Sequence, residues 1–115
     1  MIETIFTKVI NREIPSDIIY EDEQCIAIKD IAPKAPIHLL VIPKKPIPRL
    51  VDANEEDKAL LGHLMLAAGE IARQAGVEDA FRLIINNGAD VGQTVFHLHL
   101  HILAGKEFSE SQLGF

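Results

Sequence analysis

The sequence is poor in cysteine, in aromatic residues and in basic charge, and two of these shortages exclude whole classes of protein. With one cysteine, Cys25, among 115 residues, the chain can form neither an intrachain disulfide nor a thiolate zinc cage. That cysteine usage fits a reducing compartment, and we expect a cytoplasmic protein. The 11 basic and 17 acidic residues give a formal net charge of −6, which is the wrong sign for holding phosphate backbones, so we expect no nucleic-acid partner.

Long hydrophobic runs are also absent. No apolar stretch approaches the ~20 residues that a bilayer requires, and no basic segment precedes an apolar one near the first residue, so we expect neither a membrane span nor an export signal. The chain does have 48% hydrophobic and 24% charged residues, which is typical of a globular domain rather than a disordered or fibrous chain. Its length suffices for one core, so we predict a single domain over residues 1–115.

Hydrophobic periodicity predicts two helices and five strands. The predicted elements are, in chain order, a short helix at residues 5–10, strands at 18–20, 25–28 and 38–42, a long helix from about 54 to 75, and strands at 81–85 and 94–103. One long helix between two groups of strands argues against a parallel βαβ array. We therefore predict an α+β fold, with a five-stranded antiparallel sheet and the helices packed on one of its faces.

The last predicted strand carries three of the five histidines. Because strand side chains alternate between faces, His97, His99 and His101 share one face. The other face carries Phe96, Leu98, Leu100 and Ile102, which we expect to point toward the helices. Three titratable imidazoles on one face of a strand indicate a working site rather than a packing arrangement.

Two chemistries compete for this row of histidines. Imidazoles bind zinc, but the first and third side chains of the row lie roughly 13 Å apart on an extended strand, too far for three ligands at ~2.1 Å from one ion. Alternatively, a neutral imidazole attacks an electrophilic centre such as phosphorus while its neighbours handle charge and protons. The preceding loop offers a phosphate cradle, because Gly88 and Gly92 permit close backbone approach. In the same loop, Gln93 and Thr94 offer side-chain donors.

The histidine row also belongs to a longer motif. Residues 97–103 read His-Leu-His-Leu-His-Ile-Leu, the pattern H-φ-H-φ-H-φ-φ in which φ is apolar. With this motif the chain resembles the histidine triad (HIT) superfamily, and its flanking segments resemble the histidine triad nucleotide-binding (Hint) branch. Those segments are Thr4-Ile5-Phe6, Glu13-Ile14-Pro15, Asp30-Ile31-Ala32-Pro33, Pro36-Ile37-His38, Val41-Ile42-Pro43-Lys44-Lys45, Gly92-Gln93-Thr94-Val95 and Ala104-Gly105.

The resemblance implies a fold, an assembly and an activity. It implies a HIT-like fold in a two-fold homodimer whose sheets join. The implied enzyme is a purine nucleoside phosphoramidase, which hydrolyses adenosine or guanosine 5′-phosphoramidates to the nucleoside monophosphate and an amine through a covalent nucleotidyl-histidine. The resemblance implies no cofactor and no metal in this reaction.

The resemblance also assigns roles to individual residues. The middle histidine, His99, corresponds to the nucleophile, and His101 to the group that binds the phosphoryl oxygens. His97 would support the row, and His38 would belong to a proton relay. The nucleotide-binding positions correspond to Asp30 for the ribose hydroxyls with Ile31 beside it, to Asn86 and Thr94 for the phosphate or leaving group with Gln93 nearby, and to Ile5, Phe6, Val9 and Ile28 for the base.

Two other functions stay open. The run of residues 93–97, Gln-Thr-Val-Phe-His, also resembles the fragile-histidine-triad branch, whose members hydrolyse dinucleoside polyphosphates. The Ala104-Gly105 pair and the Pro43-Lys44-Lys45 segment favour the Hint branch. The chain could instead be a nucleotide-binding scaffold with little catalysis, which an intact triad disfavours.

The long helix gives a separate reason to expect a homodimer. Its apolar residues cover an arc of roughly 160°, which is broader than the ~100° stripe that one packing surface needs. These residues are Leu60, Leu61, Leu64, Met65, Ala67, Ala68, Ile71 and Ala72. We expect the small Ala68 and Ala72 at the flank of this arc to let a second backbone approach closely.

Overall fold

The fold is built on a five-stranded antiparallel sheet with one long and one short helix. The computed structural model describes residues 3–111, so the ends of the predicted 1–115 domain lie outside the described residues. The strands are β1 (Ile18–Glu21), β2 (Cys25–Lys29), β3 (Ile37–Pro43), β4 (Phe81–Ile84) and β5 (Leu100–Ala104), and the helices are α1 (Ile5–Ile10) and α2 (Lys58–Gln74). The strand order is β1-β2-β3-β5-β4 with every neighbouring pair antiparallel, which confirms the predicted α+β class.

Helix α1 begins at the threonine that the sequence offers as a cap. The Oγ1 of Thr4 accepts the backbone N–H groups of Phe6 and Thr7 at 3.2 and 3.4 Å, and the Oγ1 of Thr7 accepts the N–H of Thr4 at 2.8 Å. This capping box satisfies amide groups that have no partner within the first helical turn. The short helix is thereby held with Phe6 and Val9 buried against the sheet.

Helix α2 begins later than predicted, at Lys58 rather than near residue 54. Asn54 does act as a cap, but it caps a single 3-10 turn, Glu55–Asp57, by accepting the N–H of Glu56 at 2.9 Å. The carboxylate of Asp57 accepts the N–H of Asn54 at 3.0 Å, and this second bond completes the separate turn. Among residues 3–111, no helix is long and apolar enough to cross a membrane.

The two helices lie on opposite faces of the sheet, so the prediction of helices on one face is wrong. Strands β2 and β3 are apolar at nearly every position, and their alternating side chains form a core on each side. The core under α2 contains Cys25, Ala27, Leu39, Val41, Leu100 and Ile102 together with Leu64, Ala68 and Ile71. The core under α1 contains Ile26, Ile28, Leu40 and Ile42 together with Phe6 and Val9. His101 pairs with Leu40 across the sheet, which places its imidazole on the α1 face.

The last strand is shorter than predicted, because β5 begins at Leu100 and not at Thr94. Its ladder with β3 ends where Leu100 pairs with Val41. Continuing the ladder would bring the chain to Pro43, which has no N–H to donate. The segment before Leu100 therefore approaches the sheet without joining it.

This departure from the sheet changes the surroundings of the residues that precede β5. The N–H of Leu98 donates to the carbonyl of Ile47 at 2.6 Å, outside any strand ladder. Three of the four apolar residues expected to face the helices are buried under α2, namely Leu98, Leu100 and Ile102. The fourth residue is Phe96, and the prediction is wrong for it, because its side chain is 45% exposed.

The apolar arc of α2 is divided between an inner and an outer part. Ala68 and Ala72 are 1% and 0% exposed, so the rest of the chain already covers them and they are not the flank that a second backbone could reach. The uncovered apolar side chains are the larger Met65 and Leu66, which are 56% and 79% exposed. Met65 belongs to the predicted arc and lies at its edge, whereas Leu66 lies about 100° beyond that edge.

Candidate active site

A cavity of about 320 Å³ opens on the α1 face of the sheet. The predicted site residues in its lining are His99, His101, Asp30, Ile31, Thr94, Ile5, Phe6, Val9 and Ile28. The predicted residues outside its lining are His97, His38, Asn86 and Gln93. A lining that combines apolar side chains with a carboxylate, a hydroxyl and two imidazoles fits a small ligand with both an apolar and a charged part.

His99 is held with one ring nitrogen bonded to the backbone. Its Nδ1 lies 2.7 Å from the carbonyl oxygen of His97, so Nδ1 carries the proton and donates it, and Nε2 retains its lone pair. Burial lowers the pKa of His99, so the imidazole is neutral near pH 7. The ring of Phe6 meets it edge-on at 4.9 Å between centroids. A neutral, oriented imidazole in a cavity wall is suited to attack an electrophile.

His38 and His101 form a hydrogen-bonded pair, with Nε2 of His38 2.9 Å from Nδ1 of His101. The backbone N–H of Lys34 donates to Nδ1 of His38 at 3.0 Å, so the proton of neutral His38 is on Nε2. His38 therefore donates to His101, and the proton of neutral His101 is on its own Nε2. This arrangement sets an N–H donor on His101 beside the lone pair of His99, with the two ring centroids 5.0 Å apart.

The electrostatic state of this pair follows from its burial. Burial lowers the pKa of His38, and burial together with the neighbouring His99 and His38 lowers the pKa of His101 to about 4. Both imidazoles are consequently neutral at physiological pH before any ligand binds. An anionic group in the cavity would favour the protonated form of His101, because an opposite charge nearby raises the pKa of an imidazole.

Asp30 connects the cavity to the histidine pair. Its Oδ1 accepts the N–H of Ala32 at 2.8 Å, and its Oδ2 lies 3.4 Å from Nε2 of His38. The adjacent Ile31 lines the cavity and is nevertheless 96% exposed. A large apolar side chain left in solvent beside a carboxylate is a surface that a bound ligand could cover.

His97 lies outside the cavity, with its side chain fully buried. Its Nε2–H donates to the carbonyl of Pro43 at 2.7 Å, which ties the segment before β5 to the end of β3. Its Nδ1 has no hydrogen-bond partner within residues 3–111. Burial lowers its pKa, which matches a neutral imidazole with a single donated bond. His97 therefore lies where it can position another residue, because its backbone carbonyl accepts the hydrogen bond that orients the ring of His99.

Gln93 was expected to offer a side-chain donor near the phosphate, and in the structure its side chain bonds to backbone groups instead. Its Nε2 donates to the carbonyls of Pro48 and Val95 at 2.8 and 3.1 Å, and its Oε1 accepts the N–H of Gly88 at 2.7 Å. With these bonds made and the residue 2% exposed, Gln93 shapes the loop that carries Thr94. Asn86, expected at the same phosphate, is likewise not brought into the cavity lining.

Sequence reasoning missed several residues at this site, and two kinds of them show why. The first is the turn after α1, where Ile14, Pro15 and Ser16 line the cavity. Pro15 signals a turn, but a turn signal does not say which surface the turn will meet. The second is the set of backbone groups that fix the histidines, such as the N–H of Lys34 and the carbonyl of Pro43. No side-chain pattern indicates them, because every residue type except proline carries both groups.

One group of side chains at the site could hold a metal ion. Asp30, His38 and His101 each offer a ligand atom, and these atoms lie within 4.8 Å of one another. The direct hydrogen bond between His38 and His101 occupies two of the nitrogens such an ion would need. A proton and an ion would therefore compete for these nitrogens.

A comparison with protein families identifies the family of this chain. The HIT domain model matches residues 11–108. The chain belongs to the HIT family. It is 64% identical over 107 residues to an uncharacterized HIT-like protein of Synechocystis, a match that spans 93% of this chain and 94% of the relative. It is 48% identical over 105 residues to the purine nucleoside phosphoramidase of Escherichia coli, with 90% of this chain and 88% of that enzyme covered.

Solved HIT structures agree with the fold. A HIT family hydrolase from Clostridium thermocellum superimposes with a TM-score of 0.93 at 46% identity, covering 98% of this chain and 99% of that one. The predicted HIT-like fold is therefore confirmed for this HIT protein.

Proposed function

We propose that this HIT protein is a nucleoside phosphoramidase that hydrolyses adenosine or guanosine 5′-phosphoramidates to the nucleoside monophosphate and an amine. The observation that carries the proposal is the state of His99, a neutral imidazole in the cavity wall whose Nδ1 proton is bound to the backbone and whose Nε2 retains its lone pair. The 48% identity to the purine nucleoside phosphoramidase of Escherichia coli supports the same reaction class.

In the first step, Nε2 of His99 attacks the α-phosphorus, and the bond between phosphorus and nitrogen breaks. A covalent nucleotidyl-histidine forms, and the departing nitrogen needs one proton to leave as an amine. His101 supplies it, because the phosphate anion favours the protonated form of this imidazole. The hydrogen bond from Nδ1 of His99 to the carbonyl of His97 stabilises the positive charge that develops on the attacking ring.

In the second step, water attacks the phosphorus and the bond between phosphorus and Nε2 of His99 breaks. His101 accepts the proton that water loses, so the group that served as acid in the first step serves as base in the second. The hydrogen bond between His38 and Nδ1 of His101 leaves only the other ring nitrogen of His101 to exchange a proton with the substrate. The net reaction consumes one water, and its protons balance without a cofactor or a metal.

The cavity lining suggests how the nucleotide is oriented. We place the base among the apolar side chains that line it, which are Ile5, Phe6, Val9 and Ile28. The ribose hydroxyls would lie at Asp30 and Ile31, and the phosphate between Thr94 and the two imidazoles. Gln93 contributes by holding the loop of Thr94, and Asn86 lies at the start of that loop.

Intact mass spectrometry tests the proposal. The chain is mixed with an adenosine 5′-phosphoramidate that has a fluorogenic amine, release of the amine is followed, and a parallel reaction is quenched in acid. We expect turnover together with a protein species heavier by one adenylyl group. A diadenosine polyphosphate serves as the comparison substrate. Faster turnover of that compound, or amine release with no adduct at any quench time, would contradict the proposed activity or mechanism.

A further inference from the structure

Three metal-ligating side chains meet on the α2 face of the sheet, which is the face away from the cavity. They are Asp22 in the turn between β1 and β2, Cys25 at the start of β2, and His63 on α2, and their ligand atoms all lie within 4.8 Å of one another. The Oδ2 of Asp22 is 2.7 Å from Nε2 of His63 and 3.7 Å from Sγ of Cys25. The proposed hydrolysis uses none of the three.

The turn fixes the carboxylate at the centre of this group. Oδ1 of Asp22 accepts the backbone N–H groups of Gln24 and Cys25 at 2.8 and 2.9 Å. Oδ2 consequently faces the other side, where the hydroxyl of Tyr20 donates to it at 2.9 Å. Three groups therefore surround this one oxygen: the hydroxyl of Tyr20, Nε2 of His63 and Sγ of Cys25. A carboxylate oxygen has about two lone-pair sites, so these three groups crowd one acceptor.

The donor set identifies the class of ion. Thiolate sulfur and imidazole nitrogen suit zinc and similar transition metals, whereas calcium and magnesium take oxygen ligands. One thiolate and one carboxylate would balance the charge of a divalent ion. In the absence of an ion, burial and the neighbouring Asp22 raise the pKa of Cys25 to about 12, so the sulfur keeps its proton.

We propose that Asp22, Cys25 and His63 form a site for one zinc ion that clamps the β1–β2 turn to α2. On binding, the thiol proton leaves to solvent, the proton on Nε2 of His63 moves to Nδ1, and the ion bonds to Sγ, Nε2 and Oδ2. A water molecule completes the tetrahedron. His63 faces a surface groove that Tyr20 and Glu70 also line, and its side chain is 33% exposed, whereas Cys25 is buried.

Cobalt spectroscopy distinguishes this site from the histidines of the cavity. Co²⁺ is titrated into the chelator-treated full chain, and the near-ultraviolet band that reports a cobalt–thiolate bond is followed. Cys25 is the only cysteine of the sequence, so the band can arise at no other site. We expect the band to saturate at one cobalt per chain and to disappear when Zn²⁺ is added. Saturating cobalt without this band would overturn the proposal, because any bound cobalt would then lie away from Cys25.

Variants test the ligand set independently. Cys25→Ser should remove the band, and His63→Gln should weaken Zn²⁺ binding by more than about tenfold. Tyr20→Phe is the matched control, since it removes a hydrogen bond to Asp22 but no proposed ligand, and it should keep the band. Zinc should raise the melting temperature of the parent and not that of Cys25→Ser. Equal zinc affinity in the parent and in His63→Gln would contradict the proposal, and the parent spectrum remains decisive even where a variant folds poorly.

Discussion

At the scale of single residues, the proposed chemistry depends on one atom, Nε2 of His99. The variant His99→Ala removes the group that bonds to phosphorus, and binding contacts elsewhere cannot replace a nucleophile. We expect kcat/KM for an adenosine phosphoramidate to fall by roughly a thousandfold or more. His99→Gln is the matched control for lost volume and should be equally inactive. Activity within about tenfold of the parent in either variant would show that His99 is not the nucleophile.

The buried histidines also give the folded state a defined dependence on pH. The pKa of His101 is lowered to about 4 in the folded chain, against ~6.5 for an exposed histidine. Between these values the unfolded chain binds a proton that the folded chain does not, so the free energy of unfolding decreases as the pH falls from about 6.5 to about 4. One such group contributes on the order of 3 kcal/mol over that range.

Urea denaturation near pH 7 and near pH 4 measures this effect. His101→Gln cannot take up the proton, so its free energy of unfolding should decrease less over this pH range than that of the parent. The difference between the two pH dependences isolates His101 from the acidic residues, which titrate in both proteins. Identical pH dependence would mean that the imidazole of His101 is not kept neutral by the fold.

Asp30 is the residue expected to recognise the sugar. Its carboxylate lines the cavity, and a carboxylate can accept hydrogen bonds from two vicinal hydroxyls. Asp30→Ala should reduce the preference for a ribonucleoside over a 2′-deoxyribonucleoside phosphoramidate by roughly tenfold or more. The kcat for the ribonucleoside substrate should change less than this preference. Equal discrimination in the variant and the parent would remove Asp30 from the ribose position.

At the scale of secondary-structure elements, the sequence predicted features that depend on neighbouring residues better than features that depend on distant strands. The cap at Thr4 and the turn between β1 and β2 could be predicted, because both depend on residues within a few positions of each other. The start of β5 could not, because it depends on Pro43, far away in sequence, as the end of its partner strand. A period-two pattern also cannot show that α1 and α2 cover different faces when both faces are apolar.

The candidate site shows the same difference between local and long-range signals. The motif of residues 97–103 placed His99 and His101 together, and both line the cavity. It could not show that His97 turns to the carbonyl of Pro43, because a backbone acceptor leaves no mark in the sequence. For a related reason, the sequence could not show that the amide of Gln93 bonds to backbone groups in and beside its own loop.

The stability of helix α1 should affect the activity. It has only six residues, so its stability depends on the cap of Thr4, and Phe6 on this helix contacts the ring of His99. Thr4→Ala should lower the free energy of unfolding by about 1 kcal/mol and raise KM more than it lowers kcat. Lys8→Ala, exposed on the same helix, is the control and should leave both constants unchanged. An unchanged KM in Thr4→Ala would show that α1 does not depend on this cap to form the cavity wall.

At the scale of the whole molecule, the chain leaves two surfaces suited to a second copy. Strand β4 is an edge of the sheet, and α2 turns the exposed Met65 and Leu66 outward. The same helix contains Gly62 and Gly69, where an added Cβ would meet no other part of the described chain. A glycine inside a helix costs ~1 kcal/mol relative to alanine. Close packing of a second helix against these two positions would account for that cost.

We therefore predict a homodimer in which the α2 helices pack together and the sheets join at β4. Sedimentation at low micromolar concentration should give twice the 12.7 kDa chain mass. Leu66→Glu places a charge in the centre of the uncovered face and should shift the protein toward monomer with a loss of activity. Gln74→Glu adds the same charge on another side of α2 and should remain dimeric. A parent protein that sediments as a fully active monomer would contradict this prediction.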